Sequence, residues 1–267
     1  MTSDQTCRIC RVRPADSFEH VPPRKAANNE PLRVYGIMDW LARKDGGLRG
    51  GTIEQRGAGG FTLCERCNNN TGSWYGRELI VAASAGARIL RDAPLDDLDG
   101  SIEPTYVKAR FRQQPRVGPH PLRFIKQVVS MLLAVSPVEF SLANPALGDF
   151  VINRERTGLP DRFQFYLTLF AGPNARAVGG STRLDIERQR TDFILEVAYP
   201  PYAYVLTVDG QPDAIDTANI TPFVNLGYRQ MADIELDMLV GFGHTPLPAD
   251  YRTTAMIERD WQANEAA

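Results

Sequence analysis

The residues best equipped for chemistry in this 267-residue chain are its four cysteines, set in two pairs as Cys7-Arg8-Ile9-Cys10 and Cys64-Glu65-Arg66-Cys67. Each Cys-x-x-Cys pair can close a tight knuckle on a metal ion. Four sulfurs at roughly 2.3 Å satisfy the tetrahedral demand of a structural Zn²⁺, which would tie two distant stretches of chain together. The competing use of the thiols is as disulfides or a redox pair. It is disfavoured because a bridge within so short a turn is rare and nothing in the chain points to an oxidising compartment.

Between the knuckles lies Ser17-Phe18-Glu19-His20-Val21-Pro22-Pro23, and Asn68 follows the last cysteine where a helix is expected to begin. A knuckle, an acid-His dipeptide on a short strand, and a second knuckle followed by Asn and a helix resemble the zinc-bearing HNH endonucleases. The resemblance covers about residues 5–80 and rests on Cys7, Cys10, Glu19, His20, Cys64, Cys67 and Asn68. It implies a treble-clef (ββα-metal) module and a metal-dependent endonuclease acting on DNA. Phosphodiester hydrolysis needs an activated water, charge stabilisation at the phosphate and help for the leaving 3′ oxygen, and one divalent ion with one general base can supply these. By the resemblance, His20 is that base. Glu19, at a position where the family often has Asp, and Asn68 hold a catalytic Mg²⁺ or Mn²⁺, for which carboxylate and amide oxygens are suitable hard donors. Asn69 and Asn70 are alternatives to Asn68, and an Asn-rich helix cap is the plainer use of all three.

The chain departs from the family at its middle Asn. Gly57-Ala58-Gly59-Gly60-Phe61 stands there instead, which leaves Asn28 or Asn29 to brace the loop around the histidine. On a regular strand Glu19 and His20 project to opposite faces. Asp16 and the Arg24-Lys25 pair are expected near a phosphate, whereas His120 and His244 have no partner motif and are expected to be structural.

These residues must be held by a strand ending at His20-Val21, since each proline biases its predecessor toward extended geometry, and by a helix over 73–91. That helix would bury Trp74, Leu79, Ile80, Ala83, Ala87 and Leu90. The segment 24–61 reads as irregular, with a helical turn near 37–41, a glycine-rich hairpin over 48–61, and Arg24, Lys25, Arg33, Arg43, Lys44, Arg49 and Arg56 as possible substrate contacts. An acidic turn over 94–100 divides a module of residues 1–93 from a body of 94–267. The body opens with a strand over 104–113 and a helix over 121–136. Phe124, Ile125, Val128, Val129, Leu132 and Val135 form the buried stripe of that helix, while Arg123, Lys126 and Gln127 face out. A short helix over 145–153 and strands over 163–171, 191–198, 202–208 and 228–239 follow, with breaks at Tyr199-Pro200-Pro201 and Asp209-Gly210 and an irregular tail from 246. The fold class is α+β: a zinc module followed by a domain with an antiparallel sheet.

A content of 43% hydrophobic and 23% charged residues matches an ordinary globular chain and excludes a disordered class. Apolar runs fall short of the roughly 20 residues of a membrane span, and the start lacks a basic and an apolar leader region, so a cytoplasmic location is expected. Residues 1–77 carry 12 Lys and Arg against 8 Asp and Glu, and the remainder 18 against 24, so a basic module sits on an acidic body. That polarity suits nucleic-acid contacts confined to one region. Two functions compete: a DNA endonuclease whose body supplies recognition, homo-oligomerisation or control, and a non-catalytic zinc-stabilised module that binds nucleic acid or protein.

Overall fold

The computed structural model describes residues 5–36, 38–39, 51–92, 105–111, 119–171, 175–185, 189–212, 215 and 217–241. The expected divide at 94–100, Arg43, Lys44, Arg49, His244 and the tail from 246 lie outside these residues.

In chain order the first elements are β1 (Ser17–His20), β2 (Leu32–Val34), β3 (Thr52–Glu54) and β4 (Gly59–Leu63). The segment 48–61 does not form a hairpin on itself, because β3 pairs with β2 and β4 pairs with β1, both antiparallel. Gly57 and Gly59 carry φ of +91° and +155°, which let the chain turn from one pairing into the other. Nor is 24–36 merely a polar excursion, since Ala26, Ala27, Asn28 and Leu32 are buried.

Two helices follow where one was expected: α1 (Glu65–Trp74) begins directly at the second knuckle, and α2 (Gly76–Asp92) continues after a break at Tyr75. Gly72 and Gly76 weaken helical propensity on both sides of that break. Tyr75 is buried there and donates its hydroxyl to the Val151 carbonyl at 2.8 Å.

The remaining elements are β5 (Thr105–Phe111), α3 (Pro121–Val135), α4 (Val138–Ala143), α5 (Pro145–Ile152), β6 (Phe163–Phe170), β7 (Arg176–Asp185), β8 (Arg190–Tyr199), β9 (Tyr202–Val208), β10 (Ala218–Asn219), a 3-10 turn at Thr221–Asn225 and β11 (Ile234–Gly241). The class is α+β, built mainly from antiparallel pairs. The large sheet has seven strands in the order β5-β11-β6-β9-β8-β7, with β10 added to β6. Its one parallel contact joins Val240 and Gly241 of β11 to Leu169 and Phe170 of β6. Pro200-Pro201 forms the two-residue link between β8 and β9, closing on the Tyr199–Tyr202 pair.

Helix α3 lies under this sheet, and the amphipathic expectation fails on it: Lys126 and Gln127, expected to face out, are fully buried with Ser130. The sheet covers one side of α3, and α2, α5 and the β4 strand cover the others. A helix enclosed in this way needs no polar face. The apolar cluster built around it contains Cys7, Cys64 and Cys67 from one end of the chain and Phe165, Leu195 and Leu206 from the other. No helix among the described residues is long and apolar enough to cross a membrane.

Candidate functional site

The first knuckle is shaped by its own backbone. Cys7 N–H donates to the Arg13 carbonyl and Arg11 N–H to the Cys7 carbonyl, both at 2.8 Å, with Arg11 held at a φ of +60°. Arg8 N–H reaches the Thr62 carbonyl of β4 at 3.0 Å, which sets this knuckle beside the second. The second knuckle closes on the first turn of α1, whose Glu65 N–H is capped by the Asp16 carboxylate at 3.0 Å. Asp16 thus serves a helix end.

The ligand atoms of Cys7, Cys10, Cys64 and Cys67 all lie within 4.8 Å of one another. Cys10 Sγ and Cys64 Sγ are 3.9 Å apart, and all four cysteines are free thiols. That spacing is far beyond a disulfide bond of about 2.05 Å and close to the sulfur separation of about 3.8 Å in a tetrahedral zinc site. The set can hold a structural metal such as zinc. The hydrogen bond between the Cys67 and Cys7 sulfurs lowers the Cys7 pKa and raises that of Cys67. Four sulfurs this close need a cation to be thiolates together.

Hairpin β1–β4 carries the other candidates. Phe18 pairs with Phe61, Glu19 with Gly60 and His20 with Gly59. A side chain at Gly59 would strike the Glu19 carbonyl, so the partner of His20 is a residue without one. His20 is half-buried and its Nε2 lies 2.9 Å from the Arg56 carbonyl. That bond fixes Nε2 as the protonated nitrogen and leaves Nδ1 as the basic one. Burial lowers the His20 pKa, helped by the charges of Arg24 and Arg56, against the Arg56 bond and Glu54.

Glu19 projects to the opposite face and is only 5% exposed. Among the described residues neither a hydrogen bond nor an ion pair reaches its carboxylate, and burial alone lifts its pKa to about 8. Asn68 reaches β1 from α1, donating its Nδ2 to Ser17 Oγ and to the Phe18 carbonyl, each at 2.9 Å. The β1–β4 register is irregular between Ser17 and Phe18, and Asn68 is anchored to β1 at that step. No partner among the described residues reaches its carboxamide oxygen. Glu19 and His20, adjacent on β1, project to opposite faces.

Asn28 ties this region together. Its Nδ2 donates to the carbonyls of Pro22 and Ala58 at 2.7 and 2.8 Å, and its Oδ1 accepts Ala58 N–H at 2.7 Å. These bonds tie the chain after His20 to the start of β4.

Phe18 and Arg56 touch His20, Phe61 packs on both of them, and no motif spacing singles out the two phenylalanines. The alternation of β1 would have grouped Phe18 with His20. His120 is the N-cap of α3, with its amide and Nδ1 bonded to Glu78 at 2.9 and 3.1 Å, a structural role as expected. Behind the hairpin lies a mostly apolar cavity of about 220 Å³, lined by Val21, Val34, Val135, Val197 and Tyr199, with Arg176 its charged member.

Comparison with known protein families, curated proteins and solved structures gives no match to this chain.

Proposed function

We propose that this chain is a metal-dependent endonuclease of the HNH type, with a treble-clef module formed by the two knuckles, hairpin β1–β4 and helix α1. The observation that carries the proposal is His20, held by the Arg56 carbonyl on a hairpin whose reverse face bears a buried carboxylate with no protein partner. His20 takes the proton of the attacking water at Nδ1, and its lowered pKa keeps it in the neutral, accepting form near pH 7. Glu19 and the Asn68 carboxamide oxygen are hard donors that fit a divalent cation such as Mg²⁺ or Mn²⁺. Held there, such an ion would supply charge stabilisation to a phosphate that reaches round the end of β1 from the His20 face. Arg24 and Arg56, whose charges act on His20, attract the polyanionic substrate to the same face.

The test is plasmid or oligonucleotide cleavage with Mg²⁺ or Mn²⁺ by the parent and by His20→Ala. Loss of a general base costs about 10²- to 10⁴-fold, so the variant should cut below detection while keeping its metal content. Cleavage by His20→Ala at the parent rate would falsify the assignment.

One observation favours a second reading, a zinc-stabilised module that binds without cutting. With a pKa of about 8, Glu19 is mostly protonated at neutral pH when no cation is present, which suits a merely buried acid. Calorimetry separates the two, since only the nuclease requires a second, divalent ion that Glu19→Ala releases.

A further inference from the structure

We propose that Phe61, with Phe18 and Arg56 beside His20, is a stacking site for an unpaired nucleotide base, so that the chain takes single-stranded nucleic acid in preference to duplex. The inference rests on the reading of this module as acting on nucleic acid and adds the substrate class.

Phe61 is 53% exposed on β4, whereas Phe163, Phe165 and Phe170 on β6 are buried. Its ring meets Phe18 edge to face, with centroids 5.5 Å apart at 82°, and Phe18 meets His20 at 5.0 Å and 74°. The Arg56 guanidinium carbon lies 5.4 and 5.2 Å from the centroids of Phe18 and Phe61. The edge contact with Phe18 locks the orientation of Phe61 and leaves ring surface open. Gly59 and Gly60, its neighbours on β4, contribute no side chains to obstruct an approaching base.

Aromatic rings beside a guanidinium form the usual platform for single strands: each base offers a π-face, and the cation meets the adjoining phosphate. A duplex hides those faces in its own stack and shows a protruding ring only groove edges and backbone, so stacking there demands that a base be flipped out. Charge also favours an anionic strand over an apolar protein partner, because the cation over these rings is Arg56. Phe61 is linked to His20 through the Phe18 ring, so a base stacked on it lies close along the strand to the phosphate that His20 faces.

The experiment is fluorescence anisotropy with a labelled oligothymidine and a mixed-sequence duplex of equal length. The protein keeps its bound metal, and no divalent ion is added. The parent should bind the single strand more tightly than the duplex. Phe61→Ala and Phe61→Leu should each weaken strand binding about tenfold, Phe61→Tyr should restore it, and duplex affinity should be unchanged. Equal binding of strand and duplex by the parent overturns the proposal, as does a Phe61→Leu variant that binds the strand as the parent does. Cleavage is scored separately. Phe61-dependent strand binding by a protein that cuts nothing keeps the stacking site and removes the nuclease. Unchanged strand binding by Phe61→Leu in a protein that cuts does the reverse.

Discussion

Lys126 carries an ammonium group into a fully buried position. Its Nζ donates to the Phe150 and Asn153 carbonyls and lies 4.0 Å from the centroid of the Phe150 ring. Those carbonyls belong to the end of α5, so the lysine caps that helix and answers its dipole. Burial, seconded by Arg156, lowers its pKa from 10.5 to about 7. The folded amine thus holds its proton more weakly than the unfolded one. Between pH 7 and 10.5 the unfolded state binds more protons, and the stability contributed by Lys126 rises with pH through that window. Urea titrations of the parent and of Lys126→Met at pH 7, 8.5 and 10 should show the parent gaining on the variant as pH rises. A difference that stays flat with pH would count against a buried charge. This residue was illegible in the sequence because a lysine beside Gln127 on a helical wheel reads as a solvent face. Only the tertiary enclosure of α3 shows otherwise. The cysteines and the Glu19-His20 pair were legible because their spacing is local, whereas the burial of Glu19 depends on what packs behind the hairpin.

Elements were readable where one period dominated. Helix α3, the 145–152 helix and strands β6, β8 and β9 fall close to their expected bounds, because each is a long apolar pattern with proline or glycine punctuation. Strand β7 was missed. Its run Arg176-Ala177-Val178-Gly179-Gly180 lacks alternation, and its pairing with β8 slips between Val178 and Ser181. Gly179 is there because β7 passes directly over the Val135 carbonyl at the end of α3, where a Cβ would collide. Strand β11 begins at Ile234, not near 228, since Tyr228 is used elsewhere: its ring lies under the Arg123 guanidinium at 4.2 Å. The central place of α3 gives a direct measurement. Leu132 is 1% exposed within the shared cluster, so Leu132→Ala should cost about 2 to 4 kcal/mol in chemical denaturation, its transfer energy plus the cavity left behind. A loss below about 1 kcal/mol would mean that the helix can collapse into the space.

At the scale of the molecule, the cysteine cluster and the sheet are parts of one packed body. Arg8 donates to the Ser136 carbonyl at 2.6 Å just past α3, and Arg11 pairs with Asp149 of α5. From the other direction, the Tyr199 hydroxyl donates to the Ala27 carbonyl at 2.6 Å and the Tyr202 hydroxyl to the Ala82 carbonyl at 3.1 Å. Both tyrosines are buried, so breaking either contact strands a polar group in the core at a cost of about 1 to 3 kcal/mol. The knuckle cysteines share the apolar cluster of α3 and the sheet. A metal held by those sulfurs would therefore sit inside the common core rather than at the edge of a detachable unit. Fresh protein should contain one equivalent of zinc per chain, and Cys67→Ser should lose it. In a guanidinium titration, zinc release followed with a chromogenic chelator and loss of far-UV circular dichroism should share one midpoint, the signature of a single cooperative transition. Zinc release at clearly lower denaturant than the loss of sheet signal would show instead that the knuckles open on their own, and that the buried tyrosine and arginine ties do not couple them to the body.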